Sequence, residues 1–450
     1  MDSRPESLSL AWYGDDFTGA AAVLEVLTFA GIPAMLFLDA PTPEQLSRFP
    51  ELRAFGIAST ARAHSPDWME RNLPPAFEAL LALEPEILHY KVCSTLDSSP
   101  TTGSIGRAIE IAAKIMAPEM VPVLVAAPQL RRYQIFGHLF AGHGDKVYRL
   151  DRHPVMARHP VTPMQEADVG KHLSAQSDRL SVSVWPQDKN AARSEASQGQ
   201  ISVCTLDCMD PQSEAEAGQF IWENRRKNRF VVGSQGIEYA IVNHWIKTNQ
   251  LPPPPPRSGV GRASGMVSVS GSVSPTTAEQ IAWSRANGFA PIHFDASQAC
   301  LGSESLTREI ERAVYDSLSA ITDGLDPLIY TAHGPDDPNV ARFRQAAARS
   351  GKPITEVNQS IGKSLGTVLD RVLTQSGIRR AVVSGGDTSG YAAQQLGIFA
   401  LTALAPTIPG ASLCLAHADG PMDGLELALK GGQMGSPDYF GWIRDGGGPK

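Results

Sequence analysis

Two adjacent carboxylates, Asp15 and Asp16, stand at the end of an apolar run in the stretch Gly14-Asp15-Asp16-Phe17-Thr18-Gly19. Side by side they repel, so at least one needs a partner: a cation, a basic side chain or a hydroxyl. A carboxylate within hydrogen-bond reach of an alcohol can take its proton, the assistance that phosphoryl transfer to that alcohol asks for. The plainer reading is that one aspartate caps a helix and the other is solvated.

Other polar groups gather at similar places. The block His89-Tyr90-Lys91-Val92-Cys93-Ser94-Thr95-Leu96-Asp97-Ser98 ends a second apolar run with a lysine and several hydroxyls. A lysine there suits an anionic ligand, or else snorkels to the surface. Thr60 and Arg62, just past Ala54–Ala58, offer a bidentate clamp for a carboxylate. In the second half, Ser268 to Thr277, Ser384-Gly385-Gly386-Asp387-Thr388 and Lys430-Gly431-Gly432 supply small residues and hydroxyls. At a strand end that opens a helix, such turns let phosphate oxygens reach backbone N–H groups. One glycine turn is weak testimony, but three in one half read as a nucleotide pocket.

These residues need elements to position them. Strand, turn, helix and strand follow in order at Leu8–Tyr13, Gly14–Gly19, Ala20–Ala30 and Pro33–Leu38, a βαβ unit of a parallel sheet. Further strands are expected at Ala54–Ala58, Ile87–Val92 and Val121–Ala126, then at Met266–Ser270, Leu328–Thr331, Ala381–Val383 and Ser412–Ala416. A helix is expected from near Thr276. Five consecutive prolines, Pro252–Pro256, mark the clearest boundary. The expected fold is α/β: two open-sheet domains, 1–250 and 266–450, joined by a Pro-rich linker at 251–265, with a cleft between them. Open sheets hold ligands beyond the carboxyl ends of their strands.

The bulk numbers set bounds. At 450 residues, 42% hydrophobic and 19% charged, the chain suits a globular enzyme of two or three domains. A net charge of −8 argues against a nucleic-acid or membrane-surface partner. Cys93, Cys204, Cys208, Cys300 and Cys414 lack metal-ligand spacing, so no metal site is assigned and a reducing, cytoplasmic setting is expected. His138, His143, His153 and His159 could face a substrate, but four spread histidines are more often ordinary surface residues, and no metal is assigned to them. Neither a G-x-x-x-x-G-K-[ST] loop nor a G-x-S-x-G elbow occurs.

Taken together, the blocks resemble the four-carbon acid sugar kinase family over nearly the full chain. Its Asp-Asp-x-Thr-Gly-Ala element is matched by Asp15 to Ala20, and its Thr-x-Arg element by Thr60 and Arg62. Its Gly-Ser-x-Ser element, with a following Thr and Gln, is matched by Gly271, Ser272, Ser274, Thr277 and Gln280. Gly385 to Gly390, Pro409-Gly410 and Lys430 to Gly435 complete the pattern. There are departures. In the family's Lys-x-Asp-Ser-Thr-Leu-Arg-Gly element, Cys93, Asp97 and Ser98 replace Asp, Arg and Gly, and the Phe-Pro-x-x-Gly-Arg element is replaced by a stretch around Phe136-Gly137-His138. The family serine after Lys430 is absent, and Gln433-Met434 replaces the usual residues.

The resemblance implies an N-terminal domain that holds a sugar acid and a C-terminal domain that holds ATP, with Mg²⁺ carried on the nucleotide. It implies phosphorylation of a terminal hydroxyl on a small acid such as threonate, erythronate or an oxo-tetronate. On that reading Asp15 or Asp16 is the base. Thr18, Thr60, Arg62, Lys91, Ser94 and Thr95 bind the acid. Ser272, Ser274, Ser384, Gly385, Gly386, Asp387, Thr388, Gly410, Gly431 and Gly432 bind the nucleotide. Asp387 is an alternative holder of Mg²⁺, and a homodimer is carried as the assembly. The domains are expected to close over both ligands. Two other classes stay open: a sensor descended from a kinase, which the altered Lys91–Ser98 block allows, and a nicotinamide-linked oxidoreductase, which Gly14-Asp15-Asp16 does not favour.

Overall fold

Trp12 shows why the first apolar run becomes a buried strand with a helix laid against it. Its ring is fully buried, and its Nε1 donates to the carbonyl of Ala20, 3.1 Å away in the helix Phe17–Phe29. A Cβ at residue 56 would lie 2.0 Å from the Trp12 ring, so the neighbouring strand approaches only because that residue is glycine. The computed structural model describes residues 10–159, 161–186 and 199–450, and every side chain among them except that of Asp387. Leu8 and Ser9, expected in the first strand, lie outside the described residues.

By contacts the chain divides into two units, Met1–Pro255 and Pro256–Lys450. The first begins with β1 (Leu10–Gly14), β2 (Ala34–Phe37), β3 (Ala54–Ala58), β4 (Ile87–Lys91) and β5 (Val121–Leu124). A small antiparallel sheet follows, of β6 (Arg132–Ile135), β7 (His138–His143) and β8 (Lys146–Arg149). Then come β9 (Leu180–Trp185), β10 (Ile201–Leu206) and β11 (Phe230–Gly233). The large sheet runs β2-β3-β1-β4-β11-β5-β10-β9 with every pairing parallel. The chain leaves β1 toward β2 and β3, and leaves β4 toward the opposite side. Loops after β1 and β4 therefore diverge, which is the crevice where open α/β sheets take ligands.

The second unit holds β12 (Val267–Ser270), β13 (Phe289–His293), β14 (Asp326–Tyr330), β15 (Arg380–Ser384), β16 (Ile398–Ala405), β17 (Leu413–Ala418) and β18 (Glu426–Lys430). Their order is β13-β14-β12-β15-β18-β17-β16, parallel from β13 to β18 and antiparallel across β18-β17-β16. Its divergence point lies between β12 and β15. One face is sealed by Ile281, Phe440 and Ile443 packed with Met266, Leu328, Val382 and Leu413. Both units are thus open α/β sheets, as the alternating pattern indicates, with strand limits within about two residues of those expected for most strands.

The helix expected from Ala20 starts three residues earlier, at Phe17, because Asp16 caps it by accepting from the Gly19 N–H at 3.1 Å. The stretch Phe136-Gly137-His138 is a hairpin turn. Phe136 and Gly137 both have positive φ, and their N–H groups donate to Asp207 at 2.7 and 2.9 Å. Before that hairpin, Arg131 takes the left-handed conformation, φ 56°, that glycine adopts most readily.

Candidate active site

Three turns at the carboxyl ends of β1, β3 and β4 are laced together by their own backbone. The Asp15 N–H donates to the Lys91 carbonyl, and the Arg62 N–H donates to the Asp15 carbonyl, both at 2.9 Å. Ser59 donates its N–H and its hydroxyl to the Gly14 carbonyl, at 3.1 and 2.8 Å. Gly14 is needed here, since a Cβ would lie 2.5 Å from that of Ala20. Sequence positions far apart are thereby fixed around one small volume.

Within that volume the two aspartates differ. Asp16 has both oxygens occupied: Oδ1 caps the helix and Oδ2 accepts from Arg62 Nη2 at 2.8 Å. Asp15 is 2% exposed, and its Oδ1 has no hydrogen-bond partner. Burial pushes its pKa up to about 7; Arg62 and Lys91 oppose the rise, and Asp16 and Asp97 add to it. A carboxyl that titrates near neutrality suits proton transfer, whereas one held in an ion pair suits positioning.

Arg62 bridges acids, since its Nη1 also lies 3.9 Å from Asp97 Oδ2. Burial by itself would lower its pKa, but Asp16, Asp15, Cys93 and Asp97 outweigh that and hold it above its ordinary value. Lys91 is buried and donates to the Val92 carbonyl at 2.7 Å. Thr95 donates to Asp97 at 2.8 Å, and the Cys93 sulfur lies 2.9 Å from Thr95 Oγ1. Burial, then Asp97, push the Cys93 thiol up to about 11, so it stays protonated at neutral pH. Thr60 faces His64, with Oγ1 3.1 Å from Nε2. Thr18 lies in the first turn of the capped helix, and Ser94 is half-buried beside Cys93.

In the second unit the glycine and hydroxyl turns converge on the carboxyl ends of β12, β15 and β18. The Gly271 N–H donates to the Ser384 carbonyl at 3.0 Å, and the Gly385 N–H to the Lys430 carbonyl at 2.9 Å. Ser274 caps the helix Pro275–Arg285, and its hydroxyl also donates to the Gly432 carbonyl. Thr277 Oγ1 lies 2.8 Å from that carbonyl and 3.0 Å from Ser272 Oγ. A Cβ on Gly432 would meet Ser272 Oγ at 2.2 Å, so only glycine lets the turn approach. Gln280 donates to the carbonyls of Met434 and Ser436, pinning the far side of the loop.

Whether this rim fits a triphosphate is tested by what it leaves unfilled. Gly385 has φ +125°, the helix Gly386–Gln395 starts immediately after it, and a Cβ on Gly386 would meet nothing within 4 Å. Open space over a helix N-terminus is what an anion requires. Ser384 Oγ is fully buried without a partner, while Thr388 and Ser389 close the turn. Gly410, φ +84°, precedes β17, which runs antiparallel to β18, so it lies at the same end of the sheet. These residues fit the phosphates of a nucleotide. Among the described residues, no group of three or more His, Cys, Asp or Glu could hold a metal ion. The side chain of Asp387, the alternative Mg²⁺ holder, is outside what is described.

Two basic residues complete the picture, and neither was singled out as a site residue from sequence. Lys430 is fully buried, with Nζ donating to the Gly431 carbonyl at 3.2 Å and lying 5.8 Å from the Tyr439 ring. Burial lowers its pKa to about 7. Because the folded value is below the unfolded one, keeping this amine buried costs stability as pH falls from about 10 toward 7. Lys430→Met is therefore expected to raise the Tm of the nucleotide-free protein at pH 6.5 and to leave it nearly unchanged at pH 10.5. Equal shifts at both pH values would contradict it. The other residue is Arg132, at the start of β6. Its Nε is buried and has no hydrogen-bond partner.

Among the described residues, no helix is long and apolar enough to cross a membrane. Residues 10–241 match the model of a sugar-binding N-terminal domain, and residues 267–440 that of a nucleotide-binding C-terminal domain. The chain is 43% identical over 448 residues to a 3-oxo-isoapionate kinase of Paraburkholderia graminis, covering 98% of this chain and 95% of that one. It is 27% identical over 438 residues to a 3-oxo-tetronate kinase of Pseudomonas savastanoi pv. phaseolicola, covering 96% and 95%. A Salmonella typhimurium LT2 crystal structure described as a tRNA synthase superposes with a TM-score of 0.76 at 24% identity, covering 97% of this chain and 98% of that one, a likeness that shows the fold alone. The altered Lys91–Ser98 block therefore sits within a full-length match to kinases, and the sensor and oxidoreductase readings are not favoured. With both halves matched in order, the chain belongs to the four-carbon acid sugar kinase family, and its reaction class is that of a phosphotransferase with an alcohol acceptor.

Proposed function

We propose that the chain phosphorylates a hydroxyl of a 3-oxo sugar acid with ATP, the acid held by the N-terminal unit and the nucleotide, with Mg²⁺ on its phosphates, by the C-terminal unit. The observation that carries the reading is Asp15: a buried carboxyl with an unmatched oxygen and a pKa near 7, set among Arg62, Lys91 and Asp16. Its carboxylate accepts the proton of the acceptor hydroxyl as the new O–P bond forms and the bond between the γ-phosphorus and the ADP oxygen breaks. Asp16 keeps Arg62 charged and aimed, and Thr18, Thr60, Ser94 and Thr95 offer hydroxyls to the acid. Backbone N–H groups of Gly385 to Thr388 and Gly431 to Gly432 hold the phosphates, with Lys430 and the Ser384 hydroxyl beneath. Mg²⁺ neutralises charge on the transferred group. Most of the rate comes from positioning and fixed charge, as phosphoryl transfer generally requires.

The substrate assignment leans toward the acid named in the 43% identical relative, 3-oxo-isoapionate, ahead of the four-carbon 3-oxo-tetronate. A cytoplasmic location and a homodimer belong to the same proposal. The decisive assay is ADP release, coupled to a spectroscopic readout, over a panel containing both 3-oxo acids, threonate and erythronate. ATP consumption should depend on the acid and be highest with a 3-oxo acid. No stimulation by any member would overturn the reading.

A further inference from the structure

We propose that Arg132 is the anchor for the carboxylate of the acid. The inference rests on the kinase reading of the N-terminal unit and deepens it by naming what recognises the acid group.

Charge supplies the first argument. Arg62 answers Asp16 at 2.8 Å and approaches Asp97 at 3.9 Å, so its charge is engaged by the protein itself. Lys91 is buried, donates to the Val92 carbonyl, and is close enough to Asp15 to lower its pKa. These two cations face Asp15, Asp16 and Asp97, so the charges the site already holds are balanced when Asp15 is protonated and net negative when it is ionised, and in neither state do they hold an anion well. Arg132 adds the positive charge that an acid needs. It forms no ion pair with an acid among the described residues, and its Nη1 donates only to the carbonyls of Leu130 and Arg131, at 3.0 and 3.3 Å. Its Nε is buried with no partner at all. A buried, unmatched guanidinium N–H is costly unless something fills it, and a carboxylate fits that planar fork in a bidentate manner.

Placement supplies the second. Arg132 begins β6, and the bridge between Ala127 and Arg132 ties it to the segment that leaves β5 at the carboxyl end of the large sheet. Burial lowers its pKa first of all and Arg131 adds to the fall, while Cys93 and Asp97 oppose it, so the guanidinium is within electrostatic reach of the altered block after β4. The left-handed Arg131 turns the chain there, and its own side chain is spent on the carbonyls of Gly144 and Lys146. Of the two adjacent arginines, Arg132 is thus the one with a guanidinium N–H left for a ligand.

The test compares each acid with its carboxamide, which keeps the shape and loses the charge. In the wild type the acid should bind far better than the amide. In Arg132→Gln the KM for the acid should rise about a hundredfold, with the KM for ATP unchanged and the preference for acid over amide gone. Arg132→Lys should retain the preference at reduced affinity, since the charge remains and the fork is lost. A merely structural arginine would instead weaken acid and amide equally, and that result in Arg132→Lys, read alongside an unchanged Tm, would overturn the proposal. Wild-type turnover with no acid at all would sink the kinase reading instead, so the two failures are distinguishable.

Discussion

Asp15→Asn should lower kcat by about a hundred- to ten-thousand-fold while leaving the protein folded and able to bind both ligands. Asparagine matches the shape of the aspartate but cannot accept a proton from the acceptor hydroxyl. The wild-type kcat/KM should climb with pH through a value near 7, as the Asp15 carboxyl ionises, and the variant should lack that limb. Stability gives a second, independent reading. The folded pKa of Asp15 lies above its unfolded value, so the folded state holds the proton more tightly and stability falls as pH rises from about 4 toward 7. Asp15→Asn should therefore raise Tm at pH 8 and change it little at pH 4. Asp16→Asn should behave differently: it removes the carboxylate that holds Arg62 and changes one oxygen's partner, so it should affect acid binding more than the pH profile. A variant that loses Asp15 and still turns over at near wild-type rate would remove this residue from the chemistry.

Gly386→Val should reduce kcat/KM for ATP by about a hundredfold with almost no change in Tm. Glycine substitutions often damage the fold, but at this position the backbone leaves room for the first side-chain carbon. Gly386 is the first residue of its helix, and an added Cβ meets nothing within 4 Å. The added side chain stands at the first position of the helix whose N-terminus is proposed to hold the phosphates. Gly385 offers no such clean experiment, because its φ of +125° and a Cβ only 2.9 Å from Thr388 Oγ1 would strain the turn itself. An unaltered KM for ATP in Gly386→Val would place the triphosphate elsewhere.

Much of this site was legible in local sequence because its parts are local devices. Asp15-Asp16 at a strand end, the serine turn before Pro275 and the Gly385-Gly386 step each combine a strand terminus with a helix start, and each has a composition that only a few conformations accommodate. Periodicity and punctuation alone gave the alternation of strands and helices, since a parallel sheet needs a crossover between every pair of neighbours. The environment of Arg132 was not legible for an equally local reason: a non-glycine residue, Arg131, makes the left-handed turn before it, and nothing in the sequence announces that turn.

The sequence by itself determined that carboxylates end one strand, that glycines and hydroxyls end others, and that all lie at the binding end of open α/β sheets. Tertiary structure decided what each group has become. Asp16 and Arg62 are 46 positions apart, yet an ion pair between them at 2.8 Å makes one a positioning group and leaves the other little free charge. Burial, which no single segment reveals, lifts Asp15 and lowers Lys430 toward neutrality. The physical reason is that protonation state and charge balance depend on desolvation and on neighbours brought in by the sheet order, and neither is a property of the residue or its flanks.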